Sequence, residues 1–380
     1  MALKTITQSL LPMIIFPSLF LIGCKYMYFD HFSGGLDKTI NDLCYPPSPL
    51  PPSTFNLTLP EGQSYVRRYT YLRRMDYNAV GPCSVVAFFH LLLDAPETTG
   101  MGRTPQEFLT YLLGTGLPCV LVMLVEAHRY KGKQHWLLTH PTFWLLMTQL
   151  ITCGMTFPLY WLLLVVSRYR MAHGTRERPI ASLITKVEAQ GLALGLLLGA
   201  VLPSAAMVIT KDTYATWLWQ FYPVFVTAVR ALYSSLAPST LLKTTSSISR
   251  ERNLREDSRQ SGHGSSSQTM LRTIYLATFF LSSFFHARAV WPRVWSGDYA
   301  SLSDLLVLTK APASDAHPSI QALSFFKWDY ALSYLAFSLG LLWSARDLRE
   351  VLGMLTSYAM ITPVLGVGAA TTVVLAWRDL

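Results

Sequence analysis

Long apolar runs without a charged residue recur along the whole chain. They lie at residues 5–24, 77–93, 108–125, 141–167, 189–210, 213–229, 273–285, 330–345 and 351–377. A helix needs about 20 apolar residues to cross roughly 30 Å of hydrocarbon, and five of these runs reach or approach that length. A backbone in lipid must satisfy its own hydrogen bonds, so the runs are predicted to be helices. The pattern predicts an all-α polytopic transmembrane helix bundle with eight or nine spans.

Two polar stretches interrupt this pattern. Residues 45–63 contain a proline cluster that is typical of an extended linker, and residues 243–270 are rich in Ser, Arg and Glu. We therefore divide the chain into a signal anchor or first transmembrane helix (1–24), a lumenal loop (25–76), helices two to six (77–236), a disordered cytosolic loop (237–270) and helices seven to nine (271–380). The first run lacks a small-x-small cleavage site, which favours an uncleaved anchor over a signal peptide.

The basic residues indicate an orientation. With the N-terminus in the cytosol, the short loops on the cytosolic side carry more Lys and Arg than those on the other side, as the positive-inside rule requires. The sequon Asn56-Leu57-Thr58 then lies in a lumenal loop and predicts a glycoprotein. We expect an integral protein of the endoplasmic reticulum membrane.

Composition narrows the function. The chain is 51% hydrophobic and 14% charged, whereas a soluble domain carries roughly 25% charged residues. The net charge of +9 lies mostly in loops between spans, so we interpret it as membrane topology and expect no nucleic-acid partner. The five cysteines form no cluster with metal-ligand spacing, although a pair between Cys24 and Cys44 is left open.

Ionisable residues at the predicted span ends are candidate functional groups, because charge is costly there. Asp76 opens the second span, Glu126 closes the third, His286 and Arg288 close the seventh, and Asp329 opens the eighth. If the spans alternate in direction, all of them fall on the lumenal side of the bundle.

A structural interpretation of the same acids stays open. Asp76 has Arg73 three residues before it, Glu126 has Arg129 three residues after it, and Asp329 has Lys327 nearby. Interfacial ion pairs at this spacing contribute about 0.3–0.5 kcal/mol and need no further function.

Aromatic residues are plentiful, with 10 Trp, 19 Tyr and 19 Phe. Most of them fit an aromatic belt at the membrane interface. The group Trp217, Trp219, Phe221 and Tyr222 is denser than a belt needs, and its ring faces could stabilise a cation in a pocket. Gln149, two turns inside a predicted span, is either a pocket residue or a hydrogen-bonding contact between helices.

Several chemistries are disfavoured by the motifs. The chain has no DDxxD or NDxxD pair for a Mg²⁺-diphosphate, no HExxH, no GxSxG, no Walker motif and no dinucleotide fingerprint. We therefore predict neither a metal nor a cofactor. What remains is acid–base chemistry by ordinary side chains in a dry pocket.

Five short stretches resemble one known family. They are residues 71–76 with 85–89, 124–129, 141–149, 158–161 and the Trp-Asp-Tyr sequence 328–330. In order and spacing they resemble the fungal membrane-bound terpene cyclases of the ascofuranone type, which act in meroterpenoid biosynthesis. The resemblance covers residues 70–170 well and 270–345 more loosely.

The resemblance implies an isomerase. Such an enzyme protonates a terminal epoxide or alkene of a farnesyl chain on a polyketide-derived head group, and the chain then cyclises through carbocations. Its partners would be a lipophilic prenylated substrate and the lipid bilayer, with other pathway enzymes left open. On this basis we expect Glu126, Asp76 and Asp329 to be catalytic. The residues expected around the substrate are Gln149, Trp144, Tyr160, Trp161, Trp217 and His286.

Two other functions use the same features. A transporter or channel could use the acids as a relay, although they are predicted at one face and the chain shows no internal repeat. A receptor or membrane scaffold for a small lipophilic molecule predicts that the acids tolerate neutral substitution.

Overall fold

The computed structural model describes residues 2–44, 56–58, 64–66, 82–95, 97, 101–129, 135–174, 184–237, 263–310, 312, 316–345 and 347–379. Asp76 lies outside these residues. The described part is helical except for two short antiparallel strands, β1 (Asn56–Thr58) and β2 (Ser64–Val66).

The first half of the chain contains helices from the N-terminus to the middle of the bundle. They are α1 (Ala2–Gly23), α2 (Asp30–Ser33), α3 (Leu36–Cys44), α4 (Pro82–Leu93), α5 (Thr104–Arg129), α6 (Pro141–Ile151), α7 (Cys153–Gly174), α8 (Lys186–Leu196) and α9 (Leu202–Thr210). The π-helical segment Cys24–Phe29 extends α1, and a second one, Leu197–Val201, joins α8 to α9.

The second half completes the bundle. Its helices are α10 (Thr213–Trp219), α11 (Tyr222–Leu236), α12 (His263–Ser296), α13 (Tyr299–Leu306), α14 (Pro318–Trp343), α15 (Leu348–Leu365) and α16 (Val367–Asp379). Helix α12 begins inside the segment 237–270, for which the sequence predicts a disordered loop. Side-chain caps mark the N-termini of helices in both halves of the chain. Thr185 and Glu188 form a capping box at α8, and the Asp347 side chain accepts from the Glu350 N–H at α15.

Three helical segments in the described part of the chain are long and apolar enough to cross a membrane: Leu10–Phe29, Thr104–His128 and Lys186–Thr210. The predicted all-helical membrane character is supported to this extent. The prediction of eight or nine spans is not confirmed. Part of the reason is that the helices described in some predicted spans are short, such as the twelve-residue α4 in the described part of the run 77–93.

The run 141–167 is two helices that fold back on each other, and the prediction of one span there is wrong. Thr152 separates α6 from α7 with a φ of 75°. The ring centroids of Trp144 and Tyr160 are 5.6 Å apart, so the two helices form a hairpin. Helix α6 has 11 residues, which at 1.5 Å per residue is about 16 Å and half of a bilayer core.

The last run, 351–377, is also a helical hairpin. Gly366 has a φ of 90°, a backbone conformation that glycine adopts without steric cost, and it separates α15 from α16. Gly353 near the start of α15 packs against Trp377 near the end of α16. The two helices therefore run in opposite directions.

The first hairpin reverses the direction of the helices that follow it. Tyr330 donates a hydrogen bond of 3.2 Å to Tyr111, and one turn further along both helices Tyr334 donates to the carbonyl of Thr115. Helices α5 and α14 therefore run in the same direction. The sequence predicts the opposite, because it counts one crossing where the chain makes a hairpin.

The bundle has two ends, which we name by one residue each. At the Arg293 end, Arg293 pairs with Glu107 at the start of α5. At the Glu126 end, Glu126 near the end of α5 pairs with Arg378 near the end of α16. Helix α12 runs against α5, since it meets Tyr111 through His286 and Asp379 through Tyr275.

Cys44 ends α3 and is disulfide-bonded, whereas Cys24 is a free thiol. The pairing of Cys24 with Cys44 that the sequence leaves open is therefore absent. Just before α3, His31 Nε2 lies 3.1 Å from the carbonyl oxygen of Gln321 near the start of α14, which places this segment at the Arg293 end.

Candidate active site

An apolar cavity of about 350 Å³ lies between α5, α6, α7, α9, α10, α11, α12 and α14. This volume falls within the range of ligand pockets, roughly 300–1,000 Å³. Among the described residues that line it, Asp329 is the single acid and Arg288 the single base. Gln149, Ser204, Tyr222, Tyr330, Ser333 and Tyr334 supply most of the other polar atoms.

The Asp329 carboxylate is fixed by the tip of the α6–α7 hairpin. Its Oδ1 accepts a hydrogen bond of 2.5 Å from the Gly154 N–H, and the Cys153 N–H is a second backbone donor. These are the first amides of the 22-residue helix α7, and unpaired amides with a positive helix-dipole end attract a carboxylate. The residue is only 6% exposed, so one acid is held in a defined orientation at the cavity wall.

The close approach of the hairpin tip to Asp329 requires a glycine. A Cβ at Gly154 would lie 3.0 Å from the backbone oxygen of Asp329 and 3.1 Å from its Oδ1. Both contacts are tighter than ordinary van der Waals distances. A side chain at this position would push α7 away from α14 and lengthen the hydrogen bond to Asp329.

A chain of hydroxyl groups leads from the cavity wall into the bundle beside Asp329. Thr115 Oγ1 lies 3.1 Å from the Tyr330 hydroxyl, which donates to Tyr111 at 3.2 Å. The Tyr111 hydroxyl lies 3.4 Å from Nδ1 of the buried His286. Tyr334 lines the same wall, but its hydroxyl donates to a backbone carbonyl and stands outside the chain.

Aromatic rings cover much of the remaining wall. Trp219 is fixed by a 2.7 Å hydrogen bond from its Nε1 to Ser204, and its ring lies 5.4 Å from that of Tyr222. Phe157 and Phe285 line the cavity from α7 and α12. The face of an aromatic ring attracts a cation within about 6 Å, so this wall can stabilise positive charge without supplying a nucleophile.

Glu126 has a different environment, and the prediction that it shares one end of the bundle with Asp329 is wrong. It is fully buried and pairs with Arg378 Nη2 at 2.5 Å. Arg378 also pairs with Asp379 at 2.9 Å, and Tyr275 donates to Asp379. Glu126 lies 15 residues beyond Tyr111 on α5, about 22 Å along the helix axis. It does not line the cavity.

The other predicted substrate contacts divide into two groups. Gln149 lines the cavity with Asp329. The others are not among the described residues that line it: Trp144, Tyr160, Trp161, Trp217 and His286. Trp144 Nε1 donates to the carbonyl of Leu137 at 3.1 Å, and Trp161 packs against Phe337 with centroids 5.5 Å apart. Trp144 and Trp161 therefore pack between helices and do not meet the cavity.

Two predicted sites lie elsewhere. Asn56 begins strand β1, opposite Val66. Asp76 lies outside the described residues. No group of three or more His, Cys, Asp or Glu side chains that could hold a metal ion is found in the described part of the chain.

Sequence reasoning did not select Tyr330 and Tyr334 as site residues. A signal for both was present, because Asp329, Tyr330, Ser333 and Tyr334 recur with a spacing of four residues and so share one helix face. Tyr111 carries no such signal. Only the parallel packing of α5 on α14 brings it to the site.

These features define an α-helical bundle with apolar helices of transmembrane length and an aromatic cavity in which Asp329 is the single acid among the described lining residues. The chain belongs to the CtvD domain family, which it matches over residues 53–380. This family is of the fungal meroterpenoid terpene cyclase type. No curated protein and no solved structure matches the chain.

Proposed function

We propose that the protein is a membrane-bound terpene cyclase that isomerises a farnesyl chain carried on a polyketide-derived head group. The observation that carries the proposal is the position of Asp329, the single acid in an apolar, aromatic cavity, in a chain of this family. The finer assignment to the ascofuranone type rests on the short sequence stretches that resemble those cyclases.

Asp329 is the proton donor in this proposal. Its Oδ1 accepts the Gly154 N–H, so in the neutral acid the proton resides on Oδ2. That proton is transferred to the oxygen of a terminal epoxide or to a carbon of a terminal alkene. The alkenes of the chain then attack in turn and form carbon–carbon bonds. The Asp329 carboxylate left by the first step takes one proton back from the last cation. One proton has then been added and one removed, so product and substrate have the same mass.

The cavity walls serve the later steps. Trp219, Tyr222 and Phe157 present ring faces to the developing cations. An apolar lining keeps water away from intermediates that water would trap as alcohols. Gln149 contacts the folded chain from the α6 side.

We assign the proton-donor role to Asp329 and not to Glu126. Glu126 does not line the cavity, and Arg378 already compensates its charge. An acid paired with a buried guanidinium donates a proton poorly. Glu126 is a structural residue in this proposal, and Asp76 stays a sequence-based candidate for a second acid.

We place the Arg293 end in the lumen of the endoplasmic reticulum. The disulfide at Cys44 belongs to an oxidising compartment, and the sequon at Asn56 follows it in the chain. Helices α5 and α7 end, and α12 begins, toward the Glu126 end, and basic residues adjoin these helix ends in the sequence. They are Lys131 and Lys133 after α5, Arg176 and Arg178 after α7, and those of the segment 243–259 before α12. The positive-inside rule then makes the Glu126 end cytosolic.

A feeding assay tests the function. Microsomes from a host that expresses the chain receive farnesylated phenols or cyclohexenones, with and without a terminal epoxide, and products are followed by mass spectrometry. We expect a new product of unchanged mass and shorter retention, and none from microsomes without the chain. If the folded protein converts no such substrate but moves it across the membrane, it is a transporter and the proposal fails.

A further inference from the structure

The cavity has a mouth that two exposed residues mark. Among the described residues that line the cavity, only Ile209 on α9 and Arg288 on α12 are exposed, Ile209 to 80%. The mouth therefore opens sideways between α9 and α12. The outer faces of these helices are apolar, with Leu202 and Phe284 exposed beside it. An opening with apolar outer faces suits a lipophilic ligand that enters from the bilayer.

A second hollow adjoins the mouth on the outside of α12. It has a volume of about 430 Å³ and is lined by Phe284, Ala287, Arg288, Trp291, Pro292 and Trp295. Trp291 is fixed by a 3.0 Å hydrogen bond from its Nε1 to the Val364 carbonyl, and its ring lies 5.8 Å from that of Trp295. Trp295 is 79% exposed. This outer groove offers flat apolar surfaces, and Arg288 belongs to both the groove and the cavity.

Arg288 is available for a ligand. The part of the chain that the structure describes shows no hydrogen bond or ion pair of its guanidinium. Arg293, five residues further along α12, is different. It pairs with Glu107 and donates to Ser301 at 2.8 Å and to the Ala289 carbonyl at 2.6 Å. Arg293 thus ties α12 to its neighbours in the fold, whereas the guanidinium of Arg288 is free to meet a ligand.

We propose that the outer groove binds the head group of the substrate, with an oxygen of that head group on the guanidinium of Arg288. The hydrocarbon chain passes through the mouth and ends beside Asp329. The ligand class is an amphiphile whose planar conjugated ring carries a phenolic, enolic or carboxylic oxygen. An arginine fork suits such an oxygen, and the flat guanidinium and indole surfaces suit the ring. What happens to the chain inside the cavity rests on the function proposed above.

Binding, measured without turnover, tests this site. The purified full chain in lipid nanodiscs is titrated with a farnesylated hydroxybenzoic acid and with farnesyl methyl ether, which has no ring or acidic oxygen. We expect Arg288→Gln to weaken binding of the acid about 10- to 100-fold, as loss of a hydrogen bond to a charged group does. The affinity for the ether should not change. Trp295→Ala should likewise weaken binding of the acid and leave binding of the ether unchanged.

The matched control is Arg272→Gln, an exposed arginine at the other end of α12 that does not line either hollow. Arg288→Lys keeps the charge and should recover part of the affinity, which also shows that a loss in Arg288→Gln is not misfolding. Equal affinities of wild type and Arg288→Gln for the acid, or equal losses for both ligands, would overturn the proposal. If binding depends on the head group but no substrate is converted, the proposed cyclase function fails and the proposed head-group site is supported.

Discussion

Two buried carboxylates in one bundle have opposite surroundings. Asp329 accepts from backbone amides at the start of α7 and faces an apolar cavity. Glu126 faces a guanidinium and is closed off from that cavity. Backbone amides orient a carboxyl group without placing a full opposite charge beside it, whereas a buried arginine compensates the full charge of its partner. Burial of an acid alone therefore does not identify a catalytic acid in a membrane bundle.

The largest expected effect concerns the pair at the Glu126 end. Glu126→Gln leaves the guanidinium of Arg378 buried beside a neutral amide, and breaking a buried pair in this way costs about 3–5 kcal/mol. We expect a large fall in the thermal midpoint of the detergent-solubilised protein. Turnover per folded molecule should stay near that of wild type.

The double variant Glu126→Gln with Arg378→Met sharpens this prediction. It removes the unpaired charge together with its partner, so part of the lost stability should return. If Glu126→Gln instead keeps its thermal midpoint and loses turnover, the two acids have been assigned the wrong way round.

A smaller effect is expected at the hairpin tip. Gly154→Ala places a methyl group against Asp329, and overpacking of this kind costs about 1–3 kcal/mol. It also moves the amide that orients the acid, so turnover should fall together with stability. The measurement is the thermal midpoint and the rate of product formation at a permissive temperature.

Gly116→Ala is the matched control for stability, because a Cβ there meets nothing within 4 Å. Gly116 lines the cavity, so this control is judged by the thermal midpoint alone. In the interior of α5 it should raise stability by about 0.5–1 kcal/mol. A stable, fully active Gly154→Ala protein would show that the tip does not position Asp329.

The smallest effect is expected in the hydroxyl chain. Tyr111→Phe removes one hydroxyl between Tyr330 and His286 and should cost about 0.5–1.5 kcal/mol of stability, the net value of a hydrogen bond. Because Tyr111 stands behind the cavity wall, the product pattern should not change. Chemical denaturation measures the loss of stability, and mass spectrometry measures the product pattern. A changed product pattern would mean that this chain carries a proton during the reaction.

Much of the architecture was predictable because apolar runs without charge report helices. The runs 108–125 and 189–210 correspond to helices of transmembrane length. Hydropathy does not report a reversal inside an apolar run. Thr152 and Gly366 turn the chain with positive φ angles that leave the apolar pattern unbroken, and a count of runs therefore misses both hairpins and the direction of later helices.

The site was predictable only in part for the same reason. Asp329 and Gln149 stood out as polar residues in apolar sequence, and both line the cavity. Whether an acid meets an arginine or a helix N-terminus depends on residues far away in the chain, as Arg378 and Gly154 show. Trp144 and Trp161 were selected because they lie in the stretches 141–149 and 158–161 that resemble the cyclases, yet in the folded hairpin they pack between helices and do not line the cavity.

The most direct test is the turnover of Asp329→Asn on the substrate that wild type converts, measured per folded molecule in nanodiscs. The amide keeps the size of the side chain and an acceptor for the Gly154 N–H, and it removes the acidic proton. We expect a loss of about 10²- to 10⁴-fold, the usual contribution of general acid catalysis, with little change in the thermal midpoint. A folded Asp329→Asn protein that cyclises at the wild-type rate would contradict the assignment of Asp329 as the proton donor.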